Sequence, residues 1–110
     1  MINYLNFTWL EPWYPLQSNE EYFDEELCRE ISEVHPLYKI KTKAIARRED
    51  CDDVLFELEN YVNKYAVVHL TWSGKMGNSD FSSTTFYKNF EEWIKTCMLE
   101  DNREYACGLE

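Results

Sequence analysis

Glycine and proline are scarce in this chain of 110 residues, three of each, so long structureless segments are not expected. No run approaches the roughly 18 uninterrupted apolar residues of a membrane-spanning helix. The start, MINYLNFTWLEPW, lacks the basic opening and small-residue cleavage site of a signal peptide. A cytoplasmic location is expected, with no membrane partner. Basic residues are also few: 11 Lys and Arg stand against 21 Asp and Glu, a net charge of −10. Phosphate backbones and anionic lipid surfaces are held by Lys and Arg, so this balance argues against a nucleic-acid or membrane ligand. It favours a basic protein partner, met quickly and with strong salt dependence.

Nucleophile motifs are missing as well. There is no GxSxG, no glycine-rich phosphate loop and no HExxH. WSGK at 72–75 ends like a phosphate loop but lacks the preceding glycines, and reads as a strand-terminal turn. The four cysteines, Cys28, Cys51, Cys97 and Cys107, form no CxxC pair and fit no zinc spacing. A cytosol would keep them reduced. Cys28 and Cys97 fall on expected apolar helix faces, where a free thiol packs as a small hydrophobe. No cofactor, metal site or enzymatic activity is expected.

What is present suits a small core. Apolar residues make up 45% and aromatics 16%, and with no repeat or linker the chain reads as one domain, residues 1–110. Residues 2–9 could form an edge strand or a short helix, and Pro12 and Pro15 then force an extended or turning path. Ser18 and Glu21 form a capping box. Phe23, Leu27, Ile31 and Val34 follow on one helix face, with Glu20, Asp24, Glu25, Glu26, Glu30 and Glu33 opposite, until Pro36 closes the helix. Residues 37–48 alternate as a strand with one wet face: Tyr38, Ile40, Thr42, Ala44 and Ala46 one way, Lys39, Lys41, Lys43 and Arg47 the other. Ile45 is the one breach. EDCDD makes a turn into a strand at 54–59. A loose hairpin at 60–64 leads to a strand from Tyr65 to Trp72, and STTFY at 83–87 makes a last one. Asn89, with Glu92 three residues on, caps a second helix whose apolar face is Phe90, Trp93, Ile94, Cys97 and Met98. The expected fold is α+β: a two-layer domain, an antiparallel meander of three to four strands flanked by N-terminal and C-terminal amphipathic helices.

Four groups carry candidate chemistry. His69 sits mid-strand after two valines with no orienting partner in sequence, and reads as structural. His35, before Pro36, suits a helix end in partly charged form. Asp50, Asp52 and Asp53 read as a solvated turn or as partner contacts, and they lack the spacing of an EF-hand loop. Lys39, Lys41 and Lys43 read as partners of nearby glutamates.

HPLY at 35–38, ARREDCDDVLFEL at 46–58, YAVVHLTWSGK at 65–75 and FYKNFEEWIKTCM at 86–98 resemble a family of short, acidic bacterial proteins. That kind of protein is associated with the immunity partners of contact-dependent growth-inhibition toxins. The resemblance brings no catalytic residue. It implies a protein that binds and neutralises a basic toxin domain, such as a nuclease, by acidic occlusion. The expected contacts are Glu20, Glu21, Asp24, Glu25 and Glu26 on the first helix and Asp50, Asp52 and Asp53 at the turn, with Trp9, Trp13 or Tyr14 as aromatic anchors. Two alternatives stay open. One is a small metal-dependent enzyme using His35, His69 and the Asp cluster. The other is a single-stranded nucleic-acid-binding module using the Lys39–Arg48 face.

Overall fold

Val54, Phe56 and Leu58 alternate with Leu55 and Glu57, and a strand sends such alternate residues to opposite faces. In the computed structural model, which describes residues 7–16, 22–31, 33, 35–70 and 84–108, that alternation organises the molecule. The elements in chain order are β1 (Trp13–Pro15), α1 (Tyr22–Glu30), β2 (Thr42–Arg48), β3 (Asp53–Leu58), β4 (Tyr65–His69), β5 (Thr84–Tyr87), α2 (Phe90–Trp93), a π-helical turn (Ile94–Met98) and α3 (Leu99–Gly108). The strands form one antiparallel sheet in the order β1-β2-β3-β4-β5. The α+β class and the antiparallel meander are as expected. There are five strands rather than three to four, because WYP at 13–15 adds an edge strand. Pro15 suits that edge, since proline has no N–H for a ladder.

Each face of the sheet carries an apolar cluster. Val54, Phe56 and Leu58 pack with Ala66, Val68 and Leu70 against Phe23, Leu27 and Ile31 of the α1 segment, and Leu37 joins them. Leu55, Tyr65 and Val67 point the other way and pack with Trp13, Phe90, Trp93 and Met98. Helical residues therefore meet both faces, with the sheet between them, where a two-layer plan would cover one. Each buried Val, Leu, Ile, Phe or Met among them contributes roughly 1.5–3 kcal/mol.

Ile45, which broke the alternation, marks a β-bulge. Ala44 pairs with Phe56 and Ala46 with Leu55, so the register shifts across Ile45. The extra residue switches the face on which later side chains emerge. Ile45 and Ala46 both enter the second cluster, Arg47 lies over the Phe23 ring on the first face, and Arg48 points toward α3. The strand begins at Thr42 rather than residue 37, because residues 36–39 form turns and Lys39 adopts a φ of 64°.

α1 ends at Glu30, short of Pro36. The proposed capping residues Ser18 and Glu21, and Val34, lie outside the described residues, as do Trp72 and the WSGK turn. At α2 the cap is as expected. Asn89 Oδ1 accepts from Glu92 N at 2.8 Å, and the Glu92 carboxylate accepts from Lys88 N. Trp93 and Met98 lie five residues apart, and the single π turn places both in the core. The tail, open between helix and coil in sequence, is helical through Gly108. Among the described residues no helix is long and apolar enough to cross a membrane.

Candidate functional site

The acids expected on the first helix do not form a common outer surface. Glu20 and Glu21 lie outside the described residues. Asp24 turns to the sheet, accepting from Thr42 Oγ1 at 2.9 Å and from Ala44 N at 3.4 Å. Glu26 is 3% exposed, and its Oε1 lies 3.0 Å from Arg29. Glu30 is fully buried. The reason is helical geometry: residues 23, 26, 27, 30 and 31 form one contiguous stripe, so Glu26 and Glu30 flank the leucine face rather than oppose it. Glu25 alone of the described expected contacts here is exposed, 3.7 Å from Arg29. Cys28, expected on the apolar face, is exposed. Trp13 is a core residue and Trp9 packs against the same cluster, whereas Tyr14 is partly exposed.

The turn between β2 and β3 is different, because short polar residues there leave the sheet together. Arg48 donates to both oxygens of Asp50 at 2.8 Å. That bidentate bond holds the Asp50 carboxyl below its usual range and the Arg48 guanidinium above its own. Asp52 lies 3.8 Å from Arg47. Beside the turn, Tyr105 of α3 donates a hydrogen bond to Glu49, and Asn102 donates to the Glu11 carbonyl at 2.7 Å. The Tyr105 phenol is pushed up to about 12, first by the Glu49 bond, then by burial and by the charges of Glu49, Glu11 and Asp50. Glu49 N donates to Pro12 O at 2.9 Å, which brings the Glu11 and Glu49–Asp50 segments together at this end of the sheet. Asp50 and Asp52 are offset by Arg48 and Arg47, and Glu11 and Glu49 add two further carboxylates at this end of the sheet.

Adjacent to this rim, Cys51, Asp53 and His69 come together, with donor atoms all within 4.8 Å of one another. Asp53 is the register partner of His69. Leu70 N donates to Asp52 O at 3.1 Å, so the 52/70 pair is hydrogen-bonded and the 53/69 pair is not. In an antiparallel ladder the non-hydrogen-bonded pair brings its side chains closer. His69 Nδ1 lies 2.8 Å from Asp53 Oδ1, and the imidazole is about half exposed. His69 thus has a side-chain partner, as its structural reading in sequence expects, but it stands half exposed at the end of β4 rather than within the strand. Cys51 sits two residues before Asp53, and burial pushes its thiol up, so it is not poised as a thiolate nucleophile. The convergence was not legible from the expected strands: 54–59 and 65–72 around a hairpin at 60–64 would place residue 53 opposite 71, whereas the observed register pairs Glu57 with Tyr65 and so Asp53 with His69.

Beneath the turn runs a chain of hydrogen bonds. Asp101 Oδ2 accepts from Trp13 Nε1 at 2.7 Å and from Cys97 Sγ at 3.4 Å, and lies 3.4 Å from Arg48. It joins the edge strand, β2 and α3 at one atom. Cys97 in turn accepts from Tyr87. Burial is the first cause pushing the Cys97 thiol up to about 12, and it raises the Tyr87 phenol too.

His35 lies far from this group in role. It is buried, its Nδ1 accepts from Leu37 N at 3.1 Å, and its Nε2 lies 3.0 Å from Thr84 Oγ1. Accepting at Nδ1 requires the neutral ring with its proton on Nε2, so His35 staples the loop after α1 to β5 rather than charging a helix end. Of the lysines, Lys39 lies in the turn before β2, whereas Lys41 and Lys43 are exposed beside strand glutamates as expected: Lys41 lies 3.6 Å from Glu59, and Lys43 is the register partner of Glu57. Comparison with family models, with curated proteins and with solved structures finds no match for the chain.

Proposed function

We propose that this chain is a cytoplasmic binding protein that neutralises a basic toxin domain, such as a nuclease, by covering it with acidic surface at the β2–β3 turn. The observation that carries the reading is the convergence of Glu11, Glu49 and Asp50 around Tyr105. Carboxylates set on a rigid sheet end and braced by Arg47 and Arg48 present negative charge in fixed positions. A nuclease cleft is positive because it must attract phosphates, so it would meet this surface as it meets substrate. Tyr105 and the partly exposed Tyr14 of β1 supply amphipathic rings of the kind that anchor interfaces. The chain-wide charge of −10 points the same way, as does the resemblance to toxin-immunity proteins. The α1 acids contribute less to this role, since Asp24 and Glu26 are held within the fold.

A nucleic-acid-binding role draws no support from the lysines, which are scattered and offset by glutamate. The binding reading is tested with a purified basic nuclease toxin domain as the candidate partner. Its association rate with the purified chain should fall at least about tenfold between about 0.05 and 0.5 M salt. A rate indifferent to ionic strength contradicts the proposal.

A further inference from the structure

Cys51, Asp53 and His69 bring three donor types to one place, with donor atoms all within 4.8 Å of one another. We infer that they form a binding site for a zinc-class divalent cation, with one coordination position open to solvent. The inference stands apart from the partner reading, because it concerns the chain by itself.

Three features support it. The first is donor chemistry. A thiol sulfur, a carboxylate oxygen and an imidazole nitrogen together suit Zn²⁺ and its borderline neighbours such as Co²⁺, whereas Mg²⁺ and Ca²⁺ take oxygen donors almost exclusively. The second is spacing. Zinc bonds of about 2.0–2.3 Å in a tetrahedron set donors roughly 3.3–3.8 Å apart. The three donor atoms already lie within 4.8 Å of one another, and Asp53 Oδ1 and His69 Nδ1 at 2.8 Å are held by a single shared proton. A cation would take that proton's place and move the pair apart by about half an ångström. The third is the scaffold. Asp53 and His69 are directly opposed on neighbouring strands, so the ladder holds their side chains next to each other, and Cys51 lies in the bend just before β3. His69 is half exposed, so water or a partner's side chain could reach the site to complete the coordination.

The test uses the full chain, reduced and stripped of metal, titrated with Zn²⁺ by calorimetry and with Co²⁺ by absorption spectroscopy. The expected result is one ion per chain, with a sulfur-to-cobalt charge-transfer band and no comparable binding of Mg²⁺. Cys51→Ser and His69→Asn should each weaken binding by more than the about 10–100-fold typical of losing an outer-shell partner, and Cys51→Ser should abolish the band. Cys28→Ser is the control and should change neither. Circular dichroism of each variant checks that the fold is retained, and Asp53→Asn gives a third route if one variant fails to fold. No stoichiometric binding, or binding and a charge-transfer band that survive both Cys51→Ser and His69→Asn, would overturn the inference.

Discussion

Raising the pH should loosen this fold through one thiol in particular. Cys97 is packed among Trp13, Phe90 and Trp93, takes a hydrogen bond from Tyr87 and donates to Asp101. Burial first, and then the Asp101 charge, push its pKa up to about 12 from an ordinary 9.0. A folded-state pKa above the unfolded value means that the neutral form is favoured by folding. The stability attached to it is complete below about pH 9 and is lost as pH rises toward about 12. At pH 11 the unfolded thiol is two units past its pKa while the folded thiol is still largely protonated. At about 1.36 kcal/mol per unit, that is nearly 3 kcal/mol. Cys97 is only partly buried, so screening brings the expectation to about 2 kcal/mol. Urea unfolding followed by tryptophan fluorescence, at pH 8 and pH 11 with reductant present, measures the loss. Cys97→Ser keeps a donor to Asp101 but does not titrate. Its loss between the two pH values should therefore be smaller than wild type by about 2 kcal/mol. Equal losses in the two proteins would refute the assignment of Cys97 as the alkaline trigger.

Other perturbations address the bonds that hold the site. Asp101→Ala leaves the buried Trp13 indole N–H unpaired and removes one partner of Arg48, and should cost about 2–4 kcal/mol in chemical denaturation. Asp101→Asn retains an acceptor and should cost clearly less. His35→Phe keeps a ring in the buried site but strands the Leu37 N–H, and a loss of about 2–3 kcal/mol is expected by the same measurement. Asn89→Ala removes the side-chain cap of α2 and should cost about 1 kcal/mol, seen as a lower thermal midpoint.

Local rules made some of this structure readable and geometry over longer range hid the rest. The Asn89–Glu92 cap and the apolar face of Phe90, Trp93 and Met98 could be read because capping and helical periodicity act within one or two turns. The strand read at 54–59 from its alternation is β3, at 53–58, and the apolar run read as a strand from Tyr65 is β4, at 65–69. Ile45 was visible as an anomaly, but only the pairing with β3 shows it to be a bulge. Glu26 and Glu30 were misplaced because spacing by fours picks out Phe23, Leu27 and Ile31 and overlooks their neighbours three residues away, which the sheet also covers. The edge strand at Trp13–Pro15 was hidden by two prolines that argue against a ladder except at an edge. The grouping of Cys51, Asp53 and His69 depends on register, and the gathering of Glu11, Glu49 and Asp50 at Tyr105 depends on where α3 lands. Neither is a property of any short stretch of sequence.

Charge reversal at two places on the surface tests the proposed role most directly. Glu49→Lys combined with Asp52→Lys alters the acidic end of the sheet, and Glu25→Lys alters the exposed outer side of α1. Affinity for the basic toxin domain, measured by calorimetry on variants with unchanged circular dichroism, should drop at least about tenfold for the first and by less than about twofold for the second. Undiminished affinity after reversal at Glu49 and Asp52, or a loss confined to Glu25, would contradict an interface at the β2–β3 turn.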